Sequence, residues 1–475
     1  MIRHERHTGG WTRRNLLQAG LAAAAGIGAP ALAGDAAAGD LVGLSQQLRG
    51  RFLTSAAPGY DDARQVWNQA YDRRPLAMAR CADVDDVRRC VEFARRHTLP
   101  VAIRGGGHSY AGFGVADGAL QVDLGAFDRV SIDAQRRIAS VGGGTRIKQL
   151  LAASYAHGLI TPMGACGEVG VAGLALAGGD TAARGLYGTA CDNIIGAQIV
   201  TADGDVLELG PDRNADLFWA VRGGGGNFGV VTRLDLQLHP ILPSHNMAFL
   251  FGWTEIGAAT LEFGHLMRTA PDNARIGFSV DPVTGAEAGC RIYGDAAQAA
   301  DYFAIWRKAF PRAEVRTAPT RLDPAGEVWK PTNLAVDAAF LEGVDDALAA
   351  VLERTALAGR GIGSILMGLS NGKAARIGMT ETAYPLRGTG LSSMISAEWH
   401  RPEERERAVN WVAEYGAALR PWARRAYVNY LPPSSPERVR EVYGVNYARL
   451  AAIKGRFDPD NLFRSNHNIL PARPA

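Results

Sequence analysis

Cysteine is scarce in this chain: there are five, at 81, 90, 166, 191 and 290, in 475 residues. No two are spaced as Cys-x-x-Cys and no Cys/His set has zinc-type spacing, so no metal is expected. Five is odd, so in an oxidising compartment at least one thiol lacks an intrachain disulfide partner. An excess of one charge is also missing. The 51 basic and 48 acidic residues leave a formal net charge of +3, which gives no electrostatic case for a nucleic-acid partner or a membrane surface. Beyond residue 33 no apolar run is long and uncharged enough to span a bilayer, and no repeat or low-complexity segment stands out.

The first residues read as a targeting segment. Thr12-Arg13-Arg14-Asn15-Leu16-Leu17 fits the twin-arginine pattern, an Ala- and Gly-rich apolar stretch runs from Leu16 to Ala33, and Ala31-Leu32-Ala33 is a small-residue cleavage site. The stretch is weakly apolar and carries Pro30, so export with cleavage is favoured over a retained membrane anchor. Twin-arginine export carries folded proteins, often with a cofactor inside. A periplasmic or extracellular location is the expectation.

Glycine is abundant, at 57 residues, and much of the excess falls between 104 and 229. The chain around it mixes short strands and helices. Asp83 is placed to cap a helix whose Val84, Val87 and Val91 share a face. "PVAIR" (100–104) reads as a buried strand and "LQVDL" (120–124) as another. Residues 130–133 and 138–141 form a hairpin, a helix from Ile147 closes at Gly158, and 194–209 is a hairpin around Asp203-Gly204. After Pro243 longer strands, two helices (296–310 and 402–419) and no glycine clusters indicate an antiparallel sheet. The expected divisions are a signal peptide (1–34), a mobile leader (35–59), a cofactor domain (60–240), a substrate domain (241–424) and a tail (425–475).

Glycine clusters at 104–107, 164–179 and 223–229 are either tight turns or backbone donors to a pyrophosphate. "GGGNFG" (224–229) fits G-x-G-x-x-G, but a strand pattern follows it where a Rossmann site needs a helix. "RGGGH" lacks the Lys and Ser/Thr of a P-loop, which removes ATP and GTP. On the residues alone, His108 is either a nucleophile beside a cofactor or a neutral ring bonded to a carbonyl.

Four long blocks occur in order: "IRGGGHSYAGFGVADGALQVDL", "GACGEVGVAGLALAGG", "DLFWAVRGGGGNFGVVTRLDL" and "NYARLAAIKGRFDPDNLFRSNHNI". The chain resembles the berberine-bridge-enzyme-like FAD-linked oxidases, with a p-cresol-methylhydroxylase-type FAD domain of the vanillyl-alcohol-oxidase superfamily. The resemblance implies an α+β fold: a two-part FAD-binding domain with an inserted antiparallel-sheet substrate domain and covering helices. It implies FAD joined covalently to His108, and to Cys166 at the place where some members add a second bond. It implies a cofactor site of Arg104, Gly105, Gly106, Gly107, Ser109, Gly164, Gly170, Gly173, Gly179, Asn227, Gly229, Val230, Asn429, Asn466 and Asn468. Tyr430, in "YVNY" (427–430), matches the general base on a strand; a phenol with a reference pKa of ~10 needs a nearby cation or other donors to serve so. Val169 matches the residue that admits dioxygen.

Three departures stand out. Gly167 and Glu168 replace the usual Pro and Thr after Cys166. Asp180-Thr181 stands where members carry a final glycine, and Asp180 needs a cation such as Arg184. Ser392 occupies a position that is often Glu, Gln or Asp, and with Tyr110 it is a candidate substrate contact. Tyr384 and Arg387 do keep the aromatic-Pro-x-Arg pattern. The expected activity is oxidation of an alcohol-type carbon in a sugar, an aromatic alcohol or a secondary metabolite, with dioxygen giving hydrogen peroxide. A flavin dehydrogenase or oxidative cyclase, or a flavin-bearing protein without activity, are the alternatives.

Overall fold

The computed structural model describes residues 33–317, 327–423 and 425–472. The twin-arginine motif lies outside them. The leader expected over 35–59 is instead structured. Ala33–Gln47 is a helix, and Leu41 and Leu44, three apart and so on one face, are buried in the core beside Val87 and Val91. Arg51–Thr54 then adds an antiparallel edge strand to Ala77–Arg80. Polar composition hid this segment, because two leucines one turn apart are enough to dock a short helix.

Among the described residues the cofactor-side half holds two main sheets and a two-stranded pair, Leu159–Ile160 with His239–Pro240. One main sheet runs Arg51–Thr54, Ala77–Arg80, Leu120–Asp123, Val101–Arg104, its last three strands parallel. The parallel pairing follows from the crossover helix Val84–Arg96, capped by Asp83, whose side chain accepts the Asp86 N–H at 3.0 Å. The other is antiparallel, with Val230–Gln237 at its centre between Ile138–Gly142 and Ile194–Val200. The hairpin at Asp203-Gly204 forms as read, Gly204 taking φ +83°. The helix from Ile147 ends at Tyr155, and Gly158 turns the chain after it at φ +67°.

The second half is one seven-stranded antiparallel sheet. Alternation divides its faces. Phe249, Ile276, Phe278, Ile292, Met367 and Ile395 face the helices Ile256–Arg268, Ala296–Ala309, Asp346–Ala358 and Arg405–Leu419 and form one core with Trp306 and Trp411. Residues at the intervening positions, among them Arg275, Gly277, Ser279 and Arg291, line a cavity on the other face. The tail returns to the first half, where Leu462 and Phe463 enter the core of the parallel sheet. The α+β class holds.

"YVNY" is not a strand. Val428–Tyr430 is a single 3-10 turn, with Tyr430 N–H donating to Tyr427 O at 3.0 Å. Pro432 and Pro433 follow after Leu431, and proline cannot supply the donors a sheet ladder needs.

Candidate active site

Two adjoining cavities meet where the glycine runs come together. A narrow slot of about 170 Å³ is lined by Gly105, Gly143, Gly173, Gly225, Gly226 and Gly229, with Ser109, Asn429, Asn466 and His467. A larger cavity of about 1130 Å³ lies against the seven-stranded sheet, and the two share Gly105, Ser109, Gly173 and Asn429 in their walls. Glycine is needed at the junction. A Cβ on Gly106 would stand 2.3 Å from Gly170 N, and one on Gly229 2.4 Å from Val200 O. Asn466 Oδ1 and His467 Nδ1 are buried polar atoms with no hydrogen-bond partner among the described residues. A narrow glycine-lined slot with a few polar atoms, opening into a wide chamber, fits an elongated dinucleotide cofactor, whose oxygen atoms and amide groups would satisfy such atoms.

His108, Cys166 and Val169 stand on the wall of the larger cavity. His108 Nε2 lies 3.7 Å from Cys166 Sγ, and its ring stacks on Trp67 with centroids 4.4 Å apart. Burial pushes the imidazole down to about 4, so at neutral pH the ring is uncharged and keeps a lone pair. A hydrogen bond from the ring to its own backbone opposes that shift, so a ring bonded to a carbonyl and a ring facing the cavity are the same neutral imidazole here. Gly106, Gly107, Gly164, Gly170 and Tyr110 line the same cavity.

Tyr430 shares that wall, its ring stacked on Tyr110 at 5.9 Å and set edge-on to Tyr427 at 4.8 Å. Side chains three apart in a 3-10 turn eclipse, so Tyr427 stands beside Tyr430 and not on an opposite face. The Tyr427 hydroxyl accepts from Gly179 N at 3.0 Å and from Asn429 Nδ2 at 2.9 Å. Burial raises the Tyr430 phenol above the ordinary tyrosine value, as do Tyr110 and Tyr427, while Arg275 and Arg184 draw it down. The cations a tyrosine base requires are therefore present, but desolvation outweighs them. Asp180 does meet Arg184 in a buried ion pair, so its charge is neutralised locally.

Several expected site residues lie elsewhere. Arg104 turns from both cavities and donates to the Ala63 carbonyl. Val230 is fully buried in the core behind Gly229. Gly179 acts through its N–H to Tyr427, and Asn468 borders neither cavity. Asn227 lines the slot, and its side chain staples the glycine loop to the tail by accepting from Ile469 N at 3.0 Å. Ser392 is buried opposite Phe340 and Gly368 and lines neither cavity. Met394, two residues further on the same face, packs with Tyr110 and Tyr430. Arg387 is locked to Asp192 at 2.6 Å, both nearly fully buried, which ties the Tyr384 loop to the cofactor side. Sequence reasoning missed Trp67, Arg275 and Arg291. The strand alternation carried a signal for the arginines, but which face met the cavity did not show in it.

Comparisons with known proteins agree with this geometry. A family model described as an FAD binding domain matches residues 75–210, and one described as berberine and berberine like matches 426–470. (R)-6-Hydroxynicotine oxidase of Paenarthrobacter nicotinovorans is 29% identical over 89% of this chain and 97% of its own. An FAD-linked oxidoreductase of Bacillus subtilis, YgaK, whose activity is uncharacterised, is 26% identical over 90% of this chain and 98% of its own. The structure of the berberine-bridge-like protein 1 of Physcomitrella patens superimposes with a TM-score of 0.85 over 92% of this chain and all of that one, at 23% identity. The two family models and these full-length relatives identify the chain as an FAD-linked oxidoreductase with a berberine-like C-terminal segment, and the structural likeness shows the shared fold.

Proposed function

We propose that the protein is an exported oxidase that acts on an alcohol-type carbon, with dioxygen as the final acceptor and hydrogen peroxide as product. The observation that carries this reading is that a phenol, Tyr430, shares one cavity wall with His108, Cys166 and Val169. FAD would lie along the slot and its junction with the larger cavity, held by the Gly105–Gly107 and Gly225–Gly229 backbones and by Asn466, with His108 and Cys166 as covalent tethers. When bound it supplies the capacity to accept a hydride equivalent and pass two electrons to an acceptor. The chain does the rest. Tyr430 takes the substrate's hydroxyl proton, the sheet and Tyr110 orient the substrate, and the buried walls limit water near the reacting carbon. A small-molecule or oligosaccharide alcohol fits a chamber of about 1130 Å³. A peroxide-coupled screen over sugars and aromatic alcohols tests the reading, and flavin that no alcohol bleaches would overturn it.

Two expected results belong to this reading. Acid-precipitated protein stays yellow, and neither His108→Ala nor Cys166→Ala alone releases all the flavin; complete release from the unmutated protein would remove both tethers. Val169→Leu lowers the rate at which dioxygen reoxidises the reduced protein by ~10-fold or more, about 1.4 kcal/mol of added barrier, and leaves reduction by substrate nearly intact. The longer branch fills space in the cavity wall where Val169 is only partly buried. Unchanged reoxidation in rapid mixing would take Val169 out of the oxygen path.

A further inference from the structure

The cavity face of the seven-stranded sheet carries an unusual row. Asn246, Arg291 and Arg275 stand side by side on three neighbouring strands, Asn246 paired with Arg291 and Arg291 with Arg275. The flanking positions, Ile276, Cys290 and Ile292, point into the helix-covered core, so both guanidinium groups are on the cavity side. Like charges directly across a strand pair repel. Arg291 is partly held, its Nε donating to Asn246 Oδ1 at 2.7 Å. Arg275 has no hydrogen bond and no ion pair among the described residues, although it is partly buried.

The carboxylates that border the cavity make no ion pair with either guanidinium among the described residues, although the charge of Glu327 reaches Arg275. Asp180 is committed to Arg184. Glu327 is exposed and accepts from Trp329 Nε1 at 2.9 Å, and Glu287 is exposed further along its strand. Arg184, although paired with Asp180, leaves a buried Nη2 without a hydrogen-bond partner among the described residues. An unpaired, partly desolvated guanidinium costs stability. It is the fork geometry that recognises a carboxylate or phosphate in bidentate fashion. Arg275 also lies close enough to Tyr430 for its charge to act on that phenol, so a group held there is near the reacting end of the chamber.

We propose that Arg275 and Arg291 form an oxyanion subsite in the substrate half of the cavity, so that the alcohol oxidised carries a carboxylate or a phosphate ester. The proposal deepens the oxidase reading and rests on it for the word substrate, but the subsite itself is measurable by binding alone. Arg275 supplies the free fork. Arg291 supplies the second charge, aligned by Asn246. The anion relieves the repulsion between them.

The test titrates the oxidised flavoprotein with benzoate, phenyl phosphate and benzamide and follows the change in flavin absorbance. At least one anion binds ~10-fold or more tightly than the neutral amide, and its affinity falls as salt rises. Which anion binds more tightly assigns the group. Arg275→Met abolishes the preference, Arg275→Lys recovers part of it, and Asn246→Ala weakens it. Arg275→Met leaves the thermal midpoint equal or higher, because it removes an unpaired charge; a merely structural arginine would show a fall instead. Equal affinity for anion and amide in the unmutated protein overturns the proposal, as does a preference that survives Arg275→Met. Anion preference without oxidation of any alcohol would keep the subsite and sink the oxidase reading.

Discussion

Tyr430→Phe is expected to slow reduction of the bound flavin by substrate by ~10²–10⁴-fold, the usual worth of a positioned general base. The ring packs between Tyr110 and Tyr427, and phenylalanine keeps those contacts, so flavin content and folding survive. The base is the deprotonated phenol, and burial raises its pKa above the ordinary tyrosine value. Its working form therefore accumulates only as pH rises, and the reduction rate of the unmutated protein should still be climbing through the alkaline range. In Tyr430→Phe that climb disappears. Anaerobic rapid mixing across pH measures both effects, and a reduction rate within threefold of the parent would remove Tyr430 as base. Tyr427→Phe also has a cost. It leaves the Gly179 N–H and the Asn429 amide without their shared acceptor, a loss of about 1–3 kcal/mol, and it disturbs the wall that Tyr430 leans on. A smaller loss with a retained alkaline climb is the expected signature.

Asp458→Ala is expected to destabilise the protein by about 3–5 kcal/mol, the cost of leaving a buried charge without its partner. Lys454 and Asp458 are both fully buried, 2.6 Å apart, one turn apart at the end of the helix Tyr447–Phe457. Lys454 Nζ also donates to Asn227 O at 2.7 Å and Phe463 O at 2.9 Å, and Asp458 accepts from the Leu462 and Phe463 amides. The pair thus fastens the tail to the glycine loop that lines the slot, and the fraction of chains that incorporate flavin should fall with stability. Urea unfolding followed by tryptophan fluorescence measures the loss. The double variant Lys454→Met/Asp458→Ala should lose less than the sum of the single changes, because the uncompensated ammonium is gone. Additive losses would mean that the two side chains do not act as a pair.

What the sequence determined by itself was whatever local chemistry decides. Asp83 caps its helix, Asp203-Gly204 turns its hairpin, and the strand after "GGGNFG" excludes a Rossmann site. Each depends on a few neighbouring residues and their φ/ψ preferences. The glycine clusters around His108 and Cys166 were legible for a related reason: close approach of backbones at Gly106 and Gly170 tolerates no Cβ. Tertiary structure decided what depends on partners far along the chain. Leu41 and Leu44 make a helix of an apparently disordered leader only because the parallel sheet offers them a core. Arg104 looked like a cofactor ligand until the Ala63 carbonyl, 41 residues away, claimed it. The partner of the Tyr427 hydroxyl is Gly179, 248 residues away. The arginine row exists only through strand register, since a shift of one residue would send Arg275 and Arg291 into the helix-covered core.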